Sequence, residues 1–120
     1  MYRVKRIIRR IKNVFRWLPV IWQDEQWDHY YIFQILKHKL TIMSEDIRKR
    51  HNHTVAKYDA DRMMLCVRLI DKVQNEEYLM ELVNNDVITK EMVSKADAKH
   101  NKAKRLLFQL LENYIERWWD

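Results

Sequence analysis

The segment Arg3–Leu18, with the sequence RVKRIIRRIKNVFRWL, decides the fold class of this chain. Its apolar residues recur every three or four positions, which is the spacing of one face of an α-helix. These residues are Val4, Ile7, Ile8, Ile11, Val14, Phe15 and Leu18. The spacing predicts a basic amphipathic helix over residues 1–18. Pro19 predicts its end, because the residue before a proline is disfavoured in helical backbone angles.

Seven cations fill the opposite side of this predicted helix, and no acid occurs before Asp24. They are Arg3, Lys5, Arg6, Arg9, Arg10, Lys12 and Arg16. The other 16 basic residues of the chain nearly balance its 17 acids, so the formal net charge of +6 belongs to the amino-terminal segment. A local excess of cations of this kind indicates an anionic partner.

The composition favours a single all-α domain. The chain has 120 residues, no glycine and one proline, so it lacks the residues on which hairpin turns and phosphate-binding loops depend. A single cysteine, Cys66, excludes an internal disulfide. The apolar stretch at 17–22 is too short for a secretory signal or a membrane span, so we expect no transmembrane segment and an intracellular protein.

We predict a bundle of four to five helices that forms one domain over residues 1–120. In this prediction the basic helix at 1–18 is followed by a turn rich in Pro and Trp at 19–26 and by the helical bundle at 27–120. Within the bundle we expect helices at about 27–50 and 54–74, a short helix at 76–83, and a last helix from the N-cap Thr89 to about Trp118. The sequence His51–Thr54 predicts the break between the first two of these helices.

Residues 14–33 resemble a family of small helical proteins of tailed phages. The family shares a Trp-x-Pro-φ-Ile-Trp-x-Asp-x-x-Trp-Asp pattern, which falls here on Trp17, Pro19, Ile21, Trp22, Asp24, Trp27 and Asp28. The segment Ile35–Leu40 and the closing Trp118-Trp119-Asp120 are also similar to that family, whereas Glu25 and His29 depart from it. Because the family is largely uncharacterised, the resemblance implies a phage origin and the cytoplasm of an infected bacterial host, but no settled biochemical role.

The candidate ligand-binding residues lie on the basic helix and just beyond it. Arginine forks match phosphate oxygens, and aromatic rings beside arginine are suited to stacking on bases. The predicted phosphate-binding residues are Arg6, Arg9, Arg10 and Arg16, and the predicted stacking residues are Trp17, Trp22 and Tyr30. Three other interpretations of the helix stay open: packing of its apolar face on the bundle with merely solvated cations, adsorption to a membrane surface, and docking on an acidic protein. The tryptophans at 17, 22 and 27 are equally consistent with a buried cluster.

No catalytic or metal-binding pattern is apparent. His51-Asn52-His53 lacks the context of a nuclease motif, and the single cysteine and scattered histidines have no zinc-ligand spacing. Cys66 lies in an apolar run, which predicts a buried thiol rather than a nucleophile. We therefore predict a protein that is not an enzyme and needs no cofactor or metal.

The leading functional hypothesis is a phage-encoded binding protein that captures an anionic, phosphate-bearing ligand, such as a sponge for a nucleotide immune signal of the host. The alternatives are a DNA- or RNA-binding or packaging accessory protein, and a protein inhibitor of a host enzyme. A homo-oligomer is also expected. The side chains of Trp118 and Trp119 diverge by about 100° around the helix, so they cannot both face the core of their own chain, and one of them could pack on another subunit.

Overall fold

The computed structural model describes residues 2–50 and 54–118, excluding the side chains of Arg50 and Thr54. It is 88% helical, with five α-helices and no strand among these residues, which confirms the predicted all-α bundle. The helices are α1 (Tyr2–Gln23), α2 (His29–Arg50), α3 (Thr54–Gln74), α4 (Glu77–Met80) and α5 (Lys90–Tyr114). Two short 3₁₀-helices follow α4 and α5, at Glu81–Asn84 and Ile115–Arg117.

Helix α1 does not end at Pro19, so the predicted Pro/Trp turn at 19–26 is wrong. The helix continues through the proline to Gln23, and the connection to α2 is limited to residues 24–28. A proline within a helix costs about 3 kcal/mol because its nitrogen has no hydrogen to donate. Here Val20, the residue directly after the proline, is buried against the bundle, and this packing favours continuation over a break.

Helix α2 begins with a side-chain cap. Oδ1 of Asp28 accepts a hydrogen bond from the backbone N–H of Tyr30 at 3.1 Å, which confirms Asp28 as one of the two predicted capping residues. The helix begins at His29 rather than Trp27, and it ends at Arg50 as predicted. The predicted break at His51–His53 lies outside the described residues.

Helix α3 is the central element of the bundle, and its two long sides contact α2 and α5. Met63, Cys66 and Ile70 are fully buried, as is Leu107 of α5. Apolar side chains of α2 and the carboxyl-terminal Trp118 complete this core. The prediction that Cys66 is buried is therefore confirmed, and Trp118 packs within its own chain, whereas Trp119 lies outside the described residues.

The link between α3 and α5 contains a left-handed residue in a chain that has no glycine. Glu76 has φ 48° and ψ 44°, a conformation that a side chain with a Cβ adopts at a cost. Its position lets α4 turn back against α3 and α5. Helix α5 then begins at the predicted N-cap, where the hydroxyl of Thr89 accepts a hydrogen bond from the N–H of Met92 at 3.2 Å.

Several apolar residues at helical spacing in α2, α3 and α5 are exposed, because they lie at the edges of the buried helix faces. On α2 and α3 the solvent-accessible ones are Tyr30, Ile35, Val55 and Tyr58. On α5, Leu106 is 42% exposed although its neighbour Leu107 is fully buried. Helical spacing identifies the buried side of each helix but not how far the neighbouring helices extend around it.

Substitution Leu107→Ala tests the position of the core. We expect it to lower the free energy of unfolding by about 2–5 kcal/mol, because a fully buried leucine leaves a cavity when it is truncated. Leu106→Ala is the matched control, since it removes the same atoms from a half-exposed position. Denaturant unfolding measures both, and equal losses for the two variants would contradict the described packing.

Burial also determines the chemistry of Cys66, since it raises the pKa of the thiol from 9.0 to about 11. We expect the folded protein at pH 8 to resist a thiol-reactive disulfide reagent, which should react fully after unfolding.

The same burial makes the stability of the protein depend on pH. Because the pKa of Cys66 is higher in the folded than in the unfolded state, the thiol contributes stability that is present below pH 9 and is lost as the pH rises from 9 to 11. Cys66→Ala should lack this part of the pH dependence, and rapid labelling of the native protein would contradict the assignment.

Candidate binding surface

The apolar face of α1 is exposed to solvent. Its seven members are between 46% and 68% exposed: Val4, Ile7, Ile8, Ile11, Val14, Phe15 and Leu18. The interpretation in which this face packs on the bundle is therefore wrong. Ile21 and Trp22 extend the exposed face beyond the proline, at 62% and 84% exposure.

Helix α1 meets the bundle through the side opposite its apolar face. Arg16 and Trp17 are half-buried and Val20 is buried, whereas every other side chain of α1 is exposed. At about 100° per residue, Val20 lies roughly opposite the middle of the apolar face. The apolar face therefore points away from the rest of the protein.

A hydrogen bond from α2 supports α1 next to its proline. Nε2 of His38 lies 2.9 Å from the carbonyl oxygen of Arg16, and because a carbonyl only accepts, Nε2 carries the proton. The His38 ring also lies edge-on to the Trp17 ring, with centroids 4.6 Å apart. Pro19 removes the donor that the carbonyl of Phe15 would have used and disturbs the preceding helical turn. His38 of α2 thus donates a hydrogen bond to the turn of α1 that the proline weakens.

Six of the seven cations of α1 are exposed. Arg6, Arg9 and Arg10 form no ion pair within the described residues, so these three predicted phosphate ligands are available to a partner. Arg16 differs from them, since its guanidinium lies 3.5 Å from a carboxylate oxygen of Asp46 on α2. This contact helps to hold α1 against α2, and the role of Arg16 as a phosphate ligand stays a prediction.

The three predicted stacking residues do not form one surface, and the predicted buried tryptophan cluster is absent from the described residues. Trp17 packs against α2, whereas Trp22 points to solvent from the apolar face of α1. Tyr30 lies beside Tyr31, with ring centroids 5.2 Å apart. Trp27 is 76% exposed. None of these aromatic rings makes a cation–π contact in the described part of the chain.

The connection between α1 and α2 forms a cavity of about 390 Å³, but its charge does not suit a phosphate. Trp27 and Tyr31 contribute aromatic surface. Three acids, Asp24, Glu25 and Asp28, also line the cavity. Their negative charge would repel an anionic ligand, so this aromatic surface and the cations of α1 do not combine into one nucleotide site.

A cluster of arginine and tyrosine that the sequence did not indicate lies where the start of α3 meets the end of α5. The hydroxyl groups of Tyr58 and Tyr114 are 3.4 Å apart, and the guanidinium carbon of Arg62 lies 4.6 Å from the centre of the Tyr58 ring. Arg117 approaches the Tyr114 ring to 5.7 Å. The hydrogen bonds with Tyr114 and then Arg62 lower the pKa of Tyr58, whereas the bond with Tyr58 raises the pKa of Tyr114. The rings and guanidinium groups contact one another here, but the buried Nε of Arg62 has no hydrogen-bond partner among the described residues.

No protein family model, curated protein or solved structure matches this chain. The resemblance to tailed-phage proteins therefore stays a prediction. Across residues 2–50 and 54–118 no three His, Cys, Asp or Glu side chains come together as a metal site would need. In the same residues, no helix has the length and apolar character that crossing a membrane requires.

The exposure of the apolar face predicts that it contributes little to folding. In the double variant Ile7→Gln and Ile11→Gln, we expect the free energy of unfolding to change by no more than about 0.5 kcal/mol per site, as for other surface positions. Val20→Gln, on the buried side of the same helix, should destabilise the protein more. Thermal or denaturant unfolding at low protein concentration compares them. A large loss in the double variant would mean that the face is covered within the chain.

Proposed function

We propose that this protein is a non-enzymatic binding protein that adsorbs through α1 to an anionic phospholipid surface. The observation that carries the proposal is the outward-pointing apolar face on a helix whose remaining circumference is cationic. A helix of this kind lies in the interface of a bilayer, with its apolar side among the acyl chains and its cations at the headgroups. The lipid phosphates are then the phosphate-bearing partner that the sequence suggested.

The attachment of α1 favours this orientation. Arg16, Trp17 and Val20 join the helix to the bundle on the side opposite the apolar face. A membrane that contacts the apolar face would therefore lie on the side of α1 away from α2. The long cations flanking that face can extend to the headgroups while their alkyl stems cover apolar surface.

The exposed aromatic residue at the end of α1 agrees with a lipid partner. Trp22 continues the apolar face and is 84% exposed. Indole rings favour the boundary between headgroups and acyl chains, because they combine a large apolar body with one N–H donor. In a bacterial host the surface would be the anionic cytoplasmic leaflet, which attracts cations with about 1 kcal/mol for each Lys or Arg.

A lipid surface agrees better with α1 than a free nucleotide or nucleic acid does. The free arginines Arg6, Arg9 and Arg10 do not line the cavity at the connection between α1 and α2, so a small ligand in that cavity would not contact them. Nucleic acid would pair with the cations but leave the apolar face in water.

A second copy of the chain is also less suited to the apolar face than a lipid. Pairing two α1 helices through this face would bring 14 cations together without an acid, since residues 2–23 contain no Asp or Glu. Like charges along the edges of such an interface oppose association. The anionic lipid surface can instead contact the apolar face together with the cations at its two edges.

The test measures binding of the intact protein to vesicles. We expect co-sedimentation with vesicles of phosphatidylglycerol and phosphatidylcholine, weaker binding at high salt, a blue shift of tryptophan fluorescence, and little binding to phosphatidylcholine alone. Arg10→Gln with Lys12→Gln, two exposed cations that flank the apolar face, should weaken binding roughly 30-fold, at about 1 kcal/mol per cation. Ile7→Gln with Ile11→Gln should also weaken it strongly. Lys90→Gln with Lys104→Gln, two exposed cations of α5, is the control of equal charge and should bind almost normally.

Three outcomes would overturn the proposal. The first is absence of binding to anionic vesicles. The second is binding that depends on Arg10 and Lys12 but not on Ile7 and Ile11, together with tight binding to DNA or RNA, which would assign α1 to nucleic acid. The third is a lipid-free dimer in sedimentation that dissociates in the Ile7/Ile11 variant, which would make the face a subunit interface.

A further inference from the structure

A groove between α3, α4 and α5 contains cations that the proposed lipid surface does not use. It encloses about 360 Å³ and is lined by Leu69, Tyr78, Lys99, Lys102, Ala103 and Leu106. The volume lies within the range of about 300–1,000 Å³ that is typical of small-molecule sites. No residue of α1 takes part, so the groove is independent of the surface described above.

The groove has an apolar floor. Leu69 of α3 and Ala103 of α5 are 7% and 5% exposed, and they form its base. Leu106 is on the same side of α5, where its exposure is explained by the open groove above it. Such a floor favours a ligand with an apolar body, because burying that body removes apolar surface from water.

Two lysines line the groove, and a third lies over the ring of Tyr78 at its edge. Lys99 and Lys102 are three residues apart on α5 and therefore lie on one face of the helix. Nζ of Lys72, on α3, lies 5.2 Å from the centre of the Tyr78 ring. None of the three forms an ion pair within the described residues, although Lys95, one turn earlier on α5, contacts Glu91 at 3.9 Å. The cations at the groove are thus available to an external anion.

We propose that this groove binds a small aromatic anion, such as an aryl phosphate. The flat ring of the ligand would lie on the apolar floor beside Tyr78, and its anionic group would pair with the ammonium groups of Lys99 and Lys102. Lysine acts as a point charge toward phosphate and needs no fixed fork geometry, which suits an open groove. Leu69 and Leu106 would contact the side of the ring away from the charge.

The experiment uses 1-naphthyl phosphate with the full chain, followed by calorimetry and by NMR of the backbone amides. We expect one molecule bound per chain, with shifts concentrated at Leu69, Tyr78, Ala103 and Leu106. The double variant Lys99→Gln and Lys102→Gln should weaken binding at least about tenfold, the equivalent of one hydrogen bond to a charged group. The Lys90→Gln and Lys104→Gln variant has the same net charge and should bind normally. Inorganic phosphate and 1-naphthol should each bind more weakly, because each lacks one half of the ligand.

The proposal is overturned if naphthyl phosphate does not bind, if both double variants lose affinity equally, or if the amide shifts fall on α1. Equal binding of 1-naphthol would remove the role of the cations, and equal binding of inorganic phosphate would remove the role of the apolar floor. Because these probes contain no bilayer, failure here leaves the vesicle results unaffected, and failure with vesicles leaves these results unaffected.

Discussion

Burial of α3 on two sides is the constraint on which the rest of the structure depends. Met63, Cys66 and Ile70 have no exposed surface, and they join α2 on one side to α5 on the other. Because α2 and α5 each contribute one apolar face, neither would be covered without α3 between them. The short α4 then closes against α3 and α5 through the left-handed turn at Glu76. The groove with Tyr78 at its edge is a consequence of this arrangement, since its lining comes from all three helices.

Helix α1 follows a different physical rule from the bundle. Its largest apolar face is directed outward. Its attachment combines the burial of Val20 and the contact of Trp17 with His38 with two polar contacts, the bond from His38 to the Arg16 carbonyl and the pair between Arg16 and Asp46. The molecule is accordingly elongated, with extents of 65 × 35 × 22 Å and a radius of gyration of 18.0 Å, whereas a compact domain of this length would have about 14 Å. Exposed apolar area on this scale has a thermodynamic cost in water, and contact with a suitable partner relieves it. The outward face therefore carries more information about function than the count of cations does.

Local features were predictable from the sequence, and features that depend on distant contacts were not. The caps at Asp28 and Thr89 were predictable because they need only a polar side chain two or three residues before the N–H that it accepts from. Pro19 misled the prediction because burial of Val20 opposed the local preference; the apolar spacing that continues to Ile21 and Trp22 was the available signal. Periodicity identified the apolar face of α1, but no sequence pattern states whether a neighbour covers such a face. The candidate groove could not be predicted from the sequence for the same reason, since Lys72, Tyr78 and Lys99 belong to three separate helices.

The attachment of α1 by one short stretch has a consequence for how this protein can evolve. Most side chains of the helix share no packing with the core, so substitutions among them are not coupled to the stability of the bundle. Charge and apolar character can therefore drift or be selected on α1 at nearly constant fold stability. The three residues that anchor it, Arg16, Trp17 and Val20, together with His38, have no such freedom. Homologous chains would then be expected to diverge fastest along residues 2–15 while keeping the residues that anchor α1.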